Sequence, residues 1–182
     1  MAVYKVKTTD THVYFLTGPF SQWHPSKFIA PVGGTDVMLE FNCGEQYMMA
    51  EKALFFGDTE TFKKIMAVQP VAGRPFIEVP KKQKALGRTV KPFVEEKWTK
   101  EVATGIVFAG NLPKFSQNPG MMQELLDTGD RHLVEGASYD RIWGVGLAWD
   151  DPSILDEANW LGTNWLGEVL MDVRTVLQVH DE

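Results

Sequence analysis

The spacing of apolar and polar positions changes character once along the chain. The first forty residues carry short apolar and β-branched clusters between turn residues, and helical spacing dominates after that. "HVYFLTG" predicts a strand, and "FIAPVGGTDVMLEF" predicts two short strands around a Gly33-Gly34 turn. A first helix is expected to open at Asn42, a residue able to cap it, with Glu45 three positions on as in a capping box. It is expected to end near Gly57, which suits a left-handed C-cap. Thr59 to about Val68 predicts a second helix on a Phe62, Ile65, Met66 stripe, and Pro80–Leu86 a third, stopped by Gly87. "VEEKWTKEVATGIVFAGNL" predicts a long fourth helix with Trp98, Val102, Ile106 and Ala109 on one stripe. "PGMMQELLDTG" predicts a short fifth, from Pro119 to a stop at Gly129. In the last, "WLGEVLMDVRTVLQV", Leu166, Val169, Leu170, Val173, Val176 and Leu177 recur at spacings of three and four.

Many helices behind a small N-terminal β-sheet predict an α+β, mostly helical fold. The helices exclude a sandwich, and the lack of alternating strand–helix units disfavours a doubly wound sheet. With 182 residues and no repeat or long linker, the chain reads as a single domain over residues 1–182, large enough for a continuous core.

Composition narrows the chemistry. No apolar run approaches the ~18 residues of a membrane span, and the first twenty residues lack the features of a signal peptide. The single cysteine, Cys43, excludes an internal disulfide and fits a reducing cytosol, so a cytoplasmic protein without membrane association is expected. A net charge of −6 disfavours strong nonspecific binding to DNA. The one dense basic run, Lys81, Lys82, Lys84, Arg88 and Lys91, reads first as a solvated helix face. His12, His24, His132 and His180 have no paired spacing and Cys43 has no nearby partner, so no metal and no cofactor are expected. A Walker loop and a GxSxG elbow are missing, and "GVGLAW" from Gly144 is a poor dinucleotide loop. Carboxylate, lysine and aromatic chemistry remain.

Three constellations carry that chemistry, each beside a plainer reading. Glu45 and Lys52, seven residues apart, share one helix face two turns apart, with Met49 between them. The opposite stripe, Tyr47, Ala50, Glu51 and Leu54, is only partly apolar, so either face could be wetted and the two charges could be a cap and a surface lysine. In "SYDRIWGVG", Asp140 and Trp143 can face one way beside glycines that permit close ligand approach, or they can serve a turn and the core. In "NWLGEVLM", the backbone N–H groups of Leu166 and Gly167 behind Asn164 could hold an anion, although simple capping by Asn164 explains the same residues.

In order, "PFSQWHPSKF", "EQYMMAEKA", "LGRTVKPF", "KFSQNP", "LLDTGDRHLVEGASYDRIWGVGL" and "NWLGEVLMDVR" closely resemble the NADAR domain, or YbiA-like, family. The resemblance runs from about residue 15 to 177. It implies an N-glycosidase that parts C1′ of a phosphorylated ribose from a nitrogen. One substrate class is ADP-ribosylated guanine in nucleotides or nucleic acid, with the enzyme opposing an ADP-ribosylating toxin. The other is the ribosylamino-pyrimidine intermediates of riboflavin biosynthesis. A different class of reading is a non-catalytic module that binds ADP-ribose or NAD. The basic run would help to hold a pyrophosphate or nucleic acid, which favours the first.

The resemblance also implies roles. Glu45 matches a general acid/base, Asp140 a carboxylate that orients the ribose hydroxyls, and Lys52 a nucleophile at C1′ that passes through a Schiff base. Met48, Met49 and Phe55 would supply the apolar pocket that keeps this amine neutral. Trp143 would stack on ribose or base, and Arg88 would grip phosphate. Gly144, Asn164 and the Gly167 backbone would contact the substrate, and Phe20, Ser21 and Phe28 would line the pocket. Trp98 is expected in the core. The "GLAWDDPSILDEANW" stretch is variable and would set substrate size.

Overall fold

In the computed structural model, which describes residues 3–180, the early apolar clusters form β1 (Val6–Thr8), β2 (His12–Phe15), β3 (Phe28–Pro31) and β4 (Met38–Phe41). β3 and β4 pair antiparallel, Phe28 opposite Phe41, around Gly33 and Gly34, whose φ values of 60° and 67° only glycine adopts freely. The helices are α1 (Gly44–Phe55), α2 (Thr59–Met66), α3 (Glu78–Gly87), α4 (Lys100–Ser116), α5 (Pro119–Leu126) and α6 (Trp165–His180). A further strand, β5 (His132–Glu135), lies between α5 and α6. None of the described helices is long and apolar enough to cross a membrane. The chain divides into two compact units: Pro25–Asn118, and the segments up to His24 and from Pro119 onward.

In the continuous unit, α1 packs against α2, α3 and α4. From Gly44 to Ala53 every residue except Lys52 is buried, so neither face of α1 is wetted. That explains its weak amphipathic pattern, since a helix enclosed on all sides has no polar stripe. The expected cap is displaced by one residue. Cys43 takes the cap position without a side-chain bond, because Asn42 is buried and committed elsewhere. Its Nδ2 donates to the Val68 carbonyl at 2.9 Å, and its Oδ1 accepts from Gln83 Nε2 at 2.9 Å. The carboxamide Oε1 of Gln46 reaches back to the Asn42 N–H at 2.9 Å, in the place expected of Glu45.

The fourth helix begins later than expected. Glu95–Lys97 is a single 3₁₀ turn, and Thr99 caps α4 by accepting from the Val102 N–H at 3.3 Å. Trp98 therefore lies outside the helix, and the buried stripe becomes Ala103, Val107, Gly110, Asn111, Lys114 and Phe115. Lys114 is wholly buried, and this pushes its pKa down to about 7; the nearby Cys43 thiol opposes weakly. The unfolded lysine keeps its proton to about pH 10.4, so above pH 7 the unfolded chain binds more protons and stability rises with pH. Cys43 acts oppositely above pH 9, because burial pushes its pKa up to about 12. Urea denaturation between pH 7 and 9 should show stability increasing by ~1 kcal/mol per pH unit, and Lys114→Met should lose most of that slope.

The discontinuous unit has the sheet order β1-β2-β5, with β1 antiparallel and β5 parallel to β2. Its sheet is thus not purely N-terminal. Tyr14, Val134, Val145 and Ile154 form a buried cluster on it, flanked by Leu147 and Trp160. The α6 helix packs on β5, with Leu166, Val169, Leu170, Val173 and Leu177 buried and Val176 half-buried.

Candidate active site

Lys52 is the one incompletely buried residue in the first ten of α1, and its Nζ lies 4.7 Å from the Phe93 ring centroid and 5.8 Å from that of Trp98. Phe55 meets Trp98 edge-on at 6.0 Å, and Phe56 packs against both Phe93, at 5.0 Å, and Trp98, at 6.0 Å. Burial pushes the Lys52 pKa down. The Glu45 carboxylate pulls it back up, and the Arg88 guanidinium pushes it further down. The fold therefore brings Glu45, Lys52 and Arg88 together electrostatically. Glu45 is 5% exposed, while Arg88 is exposed at the end of α3.

The surroundings of the lysine differ from the expected ones. Met48 and Met49 are buried, with Met49 packed against Gly87. The aromatic residues 93 and 98 occupy the place expected of the methionines. Trp98 is half-buried beside Lys52 rather than in the core. The available signal was Thr99, a good capping residue whose position puts Trp98 ahead of the helix and free to turn back. Phe93 had no such signal, because its approach depends on how the chain returns between α3 and α4.

A second grouping lies in the other unit. Asp140 Oδ1 accepts from the N–H groups of Ile142, at 2.9 Å, and Trp143, at 2.8 Å, which folds the loop tightly. Its other oxygen has no hydrogen-bond partner among the described residues. Trp143 is half-buried and meets Trp165 edge-on at 5.6 Å. The loop's carbonyls close the start of α6: Arg141, Gly144, Ile142 and Trp143 accept from the N–H groups of Thr163, Asn164, Trp165 and Leu166. The Leu166 N–H is thus already bonded, which removes it from the expected anion site.

Asn164 is likewise committed to structure. Its backbone is left-handed, φ 53°, and its buried side chain bonds the edge of β5, accepting from the Glu135 N–H at 3.0 Å and donating to the Leu133 carbonyl at 2.9 Å. Its carbonyl, rather than its side chain, takes the first helical bond, from the Glu168 N–H. A Cβ on Gly167 would collide with the Leu133 carbonyl and the Asn164 side chain. On Gly144 it would meet the Glu135 carbonyl at 2.8 Å. These three residues hold the close packing between β5 and the start of α6.

Phe20 is buried edge-on to Phe15 at 5.6 Å, and Ser21 is buried with its Oγ accepting from the Trp23 N–H at 3.2 Å. Phe28 is 2% exposed and stacks on Phe41 at 5.6 Å within the β3–β4 hairpin. Of the basic run, Lys81, Lys82, Arg88 and Lys91 are exposed and Lys84 is half-buried.

The NADAR domain profile matches residues 11–178. An N-glycosidase of Acanthamoeba polyphaga mimivirus is 43% identical over 155 residues, 85% of each chain. The protein irg-1 of Caenorhabditis elegans is 37% identical over 172 residues, 90% of this chain and 77% of the other. The NMR structure of Escherichia coli YbiA shares the fold, with a TM-score of 0.69 at 22% identity over 97% of this chain and 90% of that one. With a profile that spans the buried lysine helix, the aspartate–tryptophan loop and the start of α6, the chain belongs to the NADAR domain family.

Proposed function

We propose that this N-glycosidase cleaves the bond between C1′ of a phosphorylated ribose and a nitrogen, with ADP-ribosylated guanine in a nucleotide or nucleic acid as its substrate. The observation that carries this reading is the placement of Lys52, half-buried near the buried Glu45 and against the Phe93 and Trp98 rings, where burial disfavours its ammonium form. A neutral amine is a nucleophile, and an ammonium is not. The Lys52 amine attacks C1′, the C1′–N bond breaks, and Glu45 supplies the proton that the departing base takes up. A proton then passes from the Lys52 nitrogen to the ring oxygen, the C1′–O4′ bond breaks, and the opened ribose is left as a protonated Schiff base between Lys52 and C1′. Water then adds to C1′, with Glu45 accepting its proton, and the free sugar leaves as the amine is restored.

Positive charge develops on the sugar during bond breaking, and the carboxylate that Glu45 becomes as it gives up its proton stabilises that charge in buried surroundings where water screens little. Arg88, exposed and close enough to act on Lys52, serves the substrate's phosphate, and the exposed basic run suits a second phosphate of a diphosphate. The family resemblance assigns Asp140 to the ribose hydroxyls and Trp143 to stacking on ribose or base. Action in the cytoplasm against an ADP-ribosylating toxin fits this substrate.

Release of base from ADP-ribosylated guanosine, measured beside release from a ribosylamino-pyrimidine phosphate, tests the substrate. Faster turnover of the guanosine is expected. Faster turnover of the pyrimidine would move the enzyme to riboflavin intermediates, and ADP-ribose binding with turnover of neither would make it a binding module.

A further inference from the structure

Positions 12 and 132 are remote in sequence, yet the parallel register of β2 and β5 pairs His12 directly with His132. Their rings lie 5.5 Å apart, centroid to centroid, at a tilt of 33°. Glu157, from the 3₁₀ turn Glu157–Asn159, reaches over both. Its Oε1 is 2.9 Å from His12 Nε2 and 3.9 Å from His132 Nδ1. We propose that His12, His132 and Glu157 form a binding site for a divalent transition-metal ion of the zinc type.

Three features favour a metal over a simple surface ion pair. An ion pair needs one histidine, whereas here a ring nitrogen of each of two histidines lies within 4 Å of a single carboxylate oxygen. The three donor atoms lie within 4.8 Å of one another. Donors held ~2.1 Å from a tetrahedral zinc stand roughly 3.4 Å apart, inside that range. Second, the donor set is held by its neighbours. His12 Nδ1 is 2.7 Å from Thr11 Oγ1, the outer hydrogen bond that turns the other ring nitrogen toward an ion. Tyr14 stacks on the His12 ring at 5.4 Å and Trp160 meets it edge-on at 6.3 Å. The Glu157 turn is fixed by Asp156 Oδ1, which accepts from the Ala158 N–H at 3.0 Å.

Third, the site is open to an incoming ion. The side chains of His132 and Glu157 are 55% and 54% exposed, and that of His12 is 15% exposed. Two imidazoles and a carboxylate leave a fourth position for water, and this donor set suits zinc, cobalt, nickel or copper better than calcium or magnesium. A bound ion would tie β2 and β5 to the 146–160 stretch, which the resemblance marks as variable within the family.

Cobalt(II) added to the metal-free full chain near neutral pH should give the visible d–d absorption of a tetrahedral or five-coordinate site, and zinc should displace it at one equivalent. By calorimetry, His132→Ala and Glu157→Gln should each weaken zinc binding at least about tenfold. Zinc should raise the thermal midpoint of the wild type but not of Glu157→Gln. Both replaced side chains are half-exposed, so the variants are expected to fold, which circular dichroism checks. No cobalt band and no zinc heat with the wild type would overturn the site. So would zinc affinities in both variants equal to that of the wild type.

Discussion

Lys52→Ala is expected to lower base release at least about a thousandfold, the scale on which enzymes lose a nucleophile. Borohydride added during turnover should trap a reduced sugar adduct on the wild type, visible by mass, and none on the variant. Lys52→Arg sharpens the test. It keeps a positive charge under Phe93 and Trp98 but never offers a neutral amine, so it should be as inactive as Lys52→Ala. The acid limb of the rate profile should lie below the ordinary lysine pKa, because burial favours the neutral form. Its neighbours fix the sign of further shifts. Glu45 raises the Lys52 pKa and Arg88 lowers it, so Glu45→Gln should move that limb to lower pH, and Arg88→Ala to higher pH. Wild-type turnover by Lys52→Arg, or an unchanged adduct on Lys52→Ala, would remove the lysine from the reaction.

The largest stability effect is expected at Asn164. Asn164→Ala leaves the Glu135 N–H and the Leu133 carbonyl without their partner and puts alanine at φ 53°. An unsatisfied buried group costs about 1–3 kcal/mol, and a left-handed alanine about 1 kcal/mol more. The expected loss is about 3–4 kcal/mol. For a chain of this length that lowers the melting temperature by roughly 10 °C, readable by calorimetry. Asn164→Asp keeps the acceptor but not the donor and should lose part of this. If Asn164 is structural, activity per folded molecule stays near wild type. A raised KM at unchanged stability would return it to the substrate.

Local features of the fold were legible in the sequence, and long-range ones were not. The Gly33-Gly34 turn and the α6 stripe are set by neighbouring residues, so turn chemistry and spacing found them. The strand at "HLVE" was missed, because four residues make no period of their own and its partner β2 lies far back in the chain. Asn42 was read as a cap because that is its common use, but burial against Gln83 gave its amide different partners. The same competition decided the site. Glu45, Lys52 and Arg88, which their motifs single out, lie near enough for the first and last to act electrostatically on the lysine. Asn164 and Gly167, from an equally specific motif, serve the junction between β5 and α6. A motif shows that particular residues recur together, and only coordinates separate those that meet a ligand from those that let backbones approach.

The parallel pairing of β2 with β5 also bears on how the chain is made. The parallel neighbour of β2 is encoded far downstream of it, at residues 132–135. At ~5–20 residues per second, synthesis of the intervening chain takes roughly 6–24 s. The whole of Pro25–Asn118 emerges during that interval and can reach its own core first. Until β5 arrives, one edge of β2 lacks its mate and is open to pairing with other chains, so folding during translation should depend on protection of that edge.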